Sequence, residues 1–314
     1  MTDLEKLDQA TIFCNPDLDA EVREKIIKNL SGAVFSHKGK YLWLGTDELT
    51  AIERFTKIES KNNVYGEHRR FFFKDFIDDF DEAAGEVDVE GLDYQNGYLW
   101  IIGSHSSKRK KVKTEADKFQ VEKKELKELE RQKNRYLLAR IPINDAGELE
   151  TTSPEKGWLQ RHENSDSLIK ALATDEYLDL AQIIKEADSN DLPGEEFYFY
   201  LPGKENGLDI EGLAVQDNKI WIGLRGPVLR GIAILLEIEV EAGFNNELSL
   251  KTIGNGDRQY KRHFLDLDGL GIRELCWEGN GENLLVLAGP TMDLDAAHSL
   301  FRLHQPFALK DNSL

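Results

Sequence analysis

Asp88-Val89-Glu90-Gly91-Leu92-Asp93-Tyr94-Gln95-Asn96-Gly97-Tyr98-Leu99-Trp100-Ile101-Ile102-Gly103 decides the fold class. An apolar-patterned run reaches Asn96-Gly97, the residue pair best suited to a tight hairpin turn, because both central positions of that turn need a positive φ. A second run of large apolar residues follows and stops at a glycine. The stretch therefore predicts a β-hairpin.

The same design recurs three times. Asn29-Leu30-Ser31-Gly32 runs through a turn at Lys38-Gly39 to Trp43-Leu44-Gly45. Asp209-Ile210-Glu211-Gly212 runs through Asp217-Asn218 to Trp221-Ile222-Gly223. Asp268-Gly269-Leu270 begins a looser version that passes Cys276 and Trp277 and ends at Gly289. Asn29 to Asp88 and Asp209 to Asp268 are equal steps, and further strand-like runs follow the hairpins, as in 49–58 and 232–240. A hairpin plus two strands has the size of one propeller blade. The reading is an all-β protein, a β-propeller of about five four-stranded blades with four to six open, in one domain over 1–314. The strand near Ala10–Cys14 is expected to close the ring on the last blade.

The interval from Asp88 to Asp209 is about twice as long as its neighbours. Residues 113–135, part of a basic insertion over about 106–135, are charged and rich in helix formers, which predicts an exposed helical arm. Leu168, Ile169, Leu172, Leu180, Ile183 and Ile184 are spaced for an amphipathic helix over about 166–188, with Asp175 as an internal N-cap. The interval is one blade carrying two helical insertions, or two blades.

Bulk properties narrow the function classes. The 314 residues are 40% hydrophobic and carry a formal net charge of −18. Such a field disfavours nucleic acid and anionic membrane, leaving the basic arm as the one place for an acidic partner. No apolar run reaches membrane-spanning length. The acidic opening Met1-Thr2-Asp3-Leu4-Glu5 lacks an apolar signal core, and the two cysteines, Cys14 and Cys276, lie in apolar runs as free core thiols. A cytoplasmic address is expected.

Two composite motifs resemble a known family. They are Asp88-Val89-Glu90-Gly91-Leu92-Asp93 with Ser104-His105-Ser106-Ser107-Lys108-Arg109, and Asp209-Ile210-Glu211-Gly212-Leu213-Ala214 with Arg225-Gly226-Pro227-Val228-Leu229-Arg230. Together they resemble the bacterial family catalogued as domain of unknown function 3616, over about residues 29–303. The Asp-x-Glu-Gly-Leu-Ala phrase is also similar, more distantly, to the blade motif of esterase-like phytase propellers. That second resemblance implies phosphoester hydrolysis.

Hydrolase elbows, phosphate loops and zinc-ligand spacings are missing from the sequence. Topology is more informative. In a hairpin, the start of the first strand and the end of the second share one sheet edge. Asp88 and Glu90 should thus converge with Ser104, His105, Lys108 and Arg109; Asp209 and Glu211 with Arg225 and Arg230; Asp266, Asp268 and Asp293 with Asp47 and Glu48. This predicts a charged funnel. In it Arg225, Arg230, Lys108, Arg109 and Ser104 bind a small anionic or phosphorylated ligand. Asp88, Asp209 and Asp268 hold a divalent cation, calcium or magnesium, with Glu90, Glu211 or His105 transferring the proton of a metal-assisted hydrolysis. Two other readings stay open. The carboxylates can lock blade to blade through backbone amides, and the propeller can be a scaffold that recruits a protein through the funnel face and residues 108–135.

Overall fold

The structure is a computed structural model that describes residues 9–109, 129–161, 165–173, 175–178, 201–279, 281–292 and 296–314. Four sheets follow one another along the chain. The first is built from β1 (Thr11–Ile12), β2 (Leu30–Ser36), β3 (Tyr41–Thr46), β4 (Ala51–Lys57) and β5 (Val64–Phe72), in the order β1-β5-β4-β3-β2, with α1 (Ala20–Lys28) leading into β2. The second starts with β6 (Val89–Gln95) and β7 (Tyr98–Gly103). The chain then leaves through the small pair β8 (Lys108–Arg109) and β9 (Leu129–Glu130), and returns for β10 (Leu138–Pro142) and β11 (Gly157–Leu159). After α2 (Ser167–Leu172) the third sheet follows, with β12 (Asp209–Gln216), β13 (Lys219–Gly226), β14 (Ile232–Ala242) and β16 (Lys261–Asp266). The far end of β14 also pairs with β15 (Glu247–Leu250), which runs parallel to β11 and joins the second and third sheets at their outer edge. The last sheet is β17 (Gly271–Glu278), β18 (Asn283–Gly289) and β19 (Ser299–His304).

The arrangement is propeller-like. The inner strands pack in succession, β2 on β6, β6 on β12 and β12 on β17. Each seam has its own apolar core. Trp43 and Ile52 meet Leu99 and Ile101 in the first, Ile102 and Leu138 meet Leu213 and Ile222 in the second, and Trp221 and Leu235 meet Ile272 and Leu284 in the third. The α2 residues Leu168, Ile169 and Leu172 sit in the middle core. Close approach at the seams requires glycine. A Cβ on Gly91 would stand 2.6 Å from Leu213 Cβ, and one on Gly212 would stand 2.8 Å from Leu275 Cγ. Among the described residues no such core joins the fourth sheet to the first. The seam residues explain this: the fourth sheet has Glu274 where the others have glycine, and the first has Ala33 where the others have leucine.

Several expectations are corrected here. The described residues form four blade-like groups of strands, the second and third joined through β15 and the last with three strands, a count within the four to six left open. The N-terminal strand does not meet the last sheet; β1 runs parallel to β5, the outer strand of its own sheet, and Ile12 and Cys14 pack against Leu42, Leu44 and Phe55. Of the two readings left open for the long interval, one blade or two, the described residues form one group of strands, β6, β7, β10 and β11. Most of the expected basic arm, 110–128, lies outside the described residues, as do 179–188 of the second insertion. The described part of that insertion is helical only over Ser167–Leu172, with Asp166 as its N-cap. Asp175 caps the next turn, accepting from the backbone of Tyr177 (2.8 Å) and Leu178 (3.2 Å). No helix among the described residues is long and apolar enough to cross a membrane. Cys276 is exposed on the open face of β17 rather than in the core, because strand alternation turns its neighbour Leu275 inward.

Candidate functional site

Each inner strand carries the same irregularity. The pairing of β2 with β3 slips between Leu30 and Gly32, that of β6 with β7 between Val89 and Gly91, that of β12 with β13 between Ile210 and Gly212, and that of β17 with β18 between Ile272 and Glu274. Each slip leaves one residue out of the ladder: Ser31, Glu90, Glu211 and Arg273. A β-bulge re-aims the side chain of its extra residue and bends the strand. Here the bulges gather these residues where the inner strands begin.

The bulge also fixes the register of the fourth repeat. Gly271, Ile272 and Arg273 stand where Asp209, Ile210 and Glu211 stand in the third, so the sequence reading set that repeat three residues too early. Asp268, expected as a metal ligand, is therefore exposed in the turn before β17, where its backbone N–H donates to Asp266 Oδ1 at 3.3 Å. Asp293 lies outside the described residues.

Around the bulges stand five carboxylates and three guanidiniums. Arg135, which follows the small β8–β9 pair, forms a buried ion pair with Asp88 and also donates to the carbonyl and hydroxyl of Ser106. Arg225 Nη1 lies 3.0 Å from Glu211 Oε1 and 3.5 Å from Asp209 Oδ2. Arg273 reaches from the fourth sheet to place Nε 2.7 Å from Glu211 Oε2. Asp88, Arg135, Asp209, Glu211 and Arg225 each keep only 5–7% exposure, so the cluster is buried. Asp88 holds a left-handed backbone, φ 56°, which few non-glycine residues adopt.

Two carboxylates pair with none of the three guanidiniums. Glu90 is half-buried and accepts no hydrogen bond from any described residue; burial, then Asp88, Glu211, Asp209 and Asp47, push its pKa well above the usual carboxylate range. Asp47 has a buried Oδ1 with no hydrogen-bond partner. Burial and the neighbouring Asp88 raise it to about 6. Asp209 is raised to about 7, by burial and Glu211 against the pull of Arg225. Glu211 is raised by burial, although Arg273 and Arg225 oppose the shift. Burial without full charge compensation disfavours the ionised form, and every shift has that direction.

The structure thus brings together Asp88, Glu90, Asp209, Glu211 and Arg225, as the hairpin argument expects, and adds Asp47, Arg135 and Arg273. It does not bring in the other expected residues. His105 is fully buried, with Nδ1 2.8 Å from the Gly103 carbonyl and Nε2 2.7 Å from Asp166, the cap of α2. Both nitrogens are occupied, so His105 ties the strand end to the helix and is not placed for proton transfer. Ser104 joins the second and third sheets: its N–H donates to the Asp88 carbonyl (3.0 Å) and its carbonyl accepts from Ile210 (2.9 Å). Lys108 pairs with Glu86, and Arg109 with Glu205 at 2.6 Å. Arg230 is exposed in the turn before β14, and Glu48 is exposed beside Asp47. Among the described residues no set of three or more His, Cys, Asp or Glu side chains is arranged to hold a metal ion. The expected Asp88–Asp209–Asp268 cation site is thus not formed, because arginines take the first two and register removes the third.

Comparison with known proteins adds the family. Residues 29–314 match the sequence profile of the protein of unknown function family DUF3616. The chain belongs to that family. No curated protein matches it. Solved structures similar to this member include a candidate 6-phosphogluconolactonase from Bacteroides uniformis, at 13% identity and TM-score 0.36, over 96% of this chain and 60% of that one. A glucose dehydrogenase is 13% identical at TM-score 0.36, over 87% of this chain and 82% of that one. The Cps50 (Swd1) β-propeller domain of Myceliophthora thermophila is 11% identical at TM-score 0.31, over 88% and 72%. The chain spans 60% of the length of the Bacteroides protein.

Proposed function

We propose that the bulge cluster is a small-ligand site in which Glu90 exchanges a proton with the bound molecule, the arrangement of a general acid–base enzyme. One observation carries this: Glu90 stands among four other carboxylates without a donor of its own. Removing a carboxyl from water without a partner is unfavourable, and a glutamine or leucine at this position would relieve the repulsion. A side chain that opposes stability in this way, with its pKa raised above the usual carboxylate range, has the properties required of a catalytic acid or base.

The ligand expected from the arginines, a phosphate ester, finds less support in the geometry. Arg135, Arg225 and Arg273 are all engaged by carboxylates. An anionic ligand would have to open one of these pairs and then lie beside Glu90. A neutral or cationic polar ligand would not. The test is a thermal-shift screen of polar metabolites at pH 6.5 on the wild-type chain and on Glu90→Gln. Compounds that stabilise the wild type and lose that effect in a folded Glu90→Gln variant are the expected result.

Glu211 favours a second, non-enzymatic reading. It bridges Arg225 of its own sheet and Arg273 of the next, and it is well suited to locking adjacent sheets in a scaffold. If no compound depends on Glu90 while Arg273→Ala lowers the melting temperature, the cluster is a lock and the ligand site is wrong.

A further inference from the structure

We propose that β19 is the edge through which two copies of this chain pair, antiparallel about a two-fold axis at Phe301, so that their fourth sheets become one. The other sheets set the contrast. In the first, β1 lies beside the outer strand β5. The second and third cover each other through β11 and β15, and β16 is flanked by the C-terminal tail, where the Phe264 N–H donates to the Ser313 carbonyl at 2.8 Å. Among the described residues β19 pairs with β18 alone. The Gln305 N–H donates to the Glu282 carbonyl at 3.2 Å, and that bond sets the alternation along the pair. Ser299, Phe301 and Leu303 turn their backbone groups toward β18; Leu300, Arg302 and His304 turn theirs outward, where no described residue meets them. Natural sheet edges are commonly blunted by proline, a bulge or free charge. β19 has no proline and pairs without a register shift, and its arginine is already held by Glu278 at 2.5 Å.

A second copy fits this edge because β19 complements itself. Two two-fold registers would satisfy the outward backbone groups. With the axis at Arg302, two guanidiniums stand directly opposite each other, which is unfavourable. With the axis at Phe301, Leu300 faces Arg302 of the partner subunit, and the two Phe301 rings meet at a close, non-hydrogen-bonded pair, roughly 4.5 Å between Cα atoms. Phe301 and Leu303 already pack on the core of the third seam, so the pairing extends that core across the axis. Leu300, 66% exposed, comes to lie against the stem of the partner's Arg302. Charge permits the approach. The chain has 58 acidic residues and a net charge of −18, but residues 296–310 contain none of them. Two copies therefore meet at this edge without the repulsion that opposes contact elsewhere. The interface is the same surface on both copies, so assembly closes at a dimer.

Sedimentation velocity on the full chain over about 2–200 μM tests this. A reversible dimer is expected. Leu300→Pro should weaken it at least ~10-fold, because proline deletes an outward N–H but none of the bonds to β18, and the variant should keep a cooperative melt. Leu300→Lys sets a cation opposite Arg302 of the partner subunit and should weaken the dimer too, whereas Leu300→Glu should leave it as tight or tighter. Both of these fall on an exposed position, so they decide the matter even if the proline variant does not fold. A wild type that stays monomeric over the whole range overturns the proposal, whatever else covers β19. A dimer on which Leu300→Lys and Leu300→Glu act alike overturns it as well, since that excludes pairing about Phe301.

Discussion

Glu237 and Glu90 are both acidic side chains set in apolar sheets, and the chain treats them in opposite ways. Glu237, on β14, is 1% exposed; Lys219 and Lys261 stand 2.7 and 3.1 Å from Oε1, and His263 Nε2 is 3.4 Å from Oε2. Burial works against its charge, but His263, Lys219 and Lys261 overcome it and hold the pKa at about 2. Glu90 is half-buried and has four acidic neighbours instead. A buried carboxylate can therefore be accommodated by this fold without strain, and at Glu90 it is not. The contrast separates a residue that stabilises a sheet from one that the sheet has to tolerate.

The strongest test of the contrast is Glu237→Gln, which leaves two lysines facing a neutral amide. Breaking a fully buried pair costs about 3–5 kcal/mol. The lysines are 24% exposed, so a loss of roughly 2 kcal/mol is expected in urea denaturation at pH 7. A change within ~0.5 kcal/mol would remove the stabilising half of the comparison. Gly212→Ala comes next, since its Cβ would press on Leu275; overpacking of this kind should cost about 1–3 kcal/mol. Glu90→Gln should do the reverse and raise stability by about 1 kcal/mol at pH 8. That gain should vanish near pH 4.5, where the native carboxyl already carries its proton. A destabilised Glu90→Gln would show that the carboxylate has a structural partner after all.

The smallest effect is the pH slope of the wild type. A carboxyl whose folded pKa is raised binds its proton more tightly in the folded chain, so stability declines as pH rises from the unfolded value to the folded one. Asp47 spans 3.8 to about 6, Asp209 3.8 to about 7, and Glu274, raised by burial against backbone N–H bonds, 4.5 to about 8. Glu237 acts oppositely: its contribution is complete above 4.5 and is lost as pH falls toward 2. Melting temperatures should therefore be higher near pH 5 than near pH 8, and should fall again below pH 4. A flat profile from 5 to 8 would mean that these carboxyls ionise without penalty.

Much of this architecture is legible in the hairpin units. Turn chemistry at Asn96-Gly97 and strand-terminal glycines show the sheets, and hairpin topology is enough to place Asp88, Glu90, Asp209, Glu211 and Arg225 together. The bulges are not legible, because a one-residue slip has no composition of its own. Glycine after the bulge is the usable marker in three repeats, and Glu274 replaces it in the fourth. That replacement hid Arg273, although it aligns with Glu90 and Glu211. Arg135 was concealed differently, as the last cation of a charged run whose neighbours face other tasks. His105 was misplaced because sequence adjacency to Gly103 does not reveal the distant Asp166 that holds its ring.

The repeated bulge leaves this chain with a kind of alphabet. Because each bulged residue is excused from the ladder, its identity can change without disturbing the strand pairing or the seam glycine beside it. The four positions are spelled Ser31, Glu90, Glu211 and Arg273. Relatives that spell them differently would keep the scaffold and recognise other molecules, and a four-position library at these residues would sample that vocabulary directly.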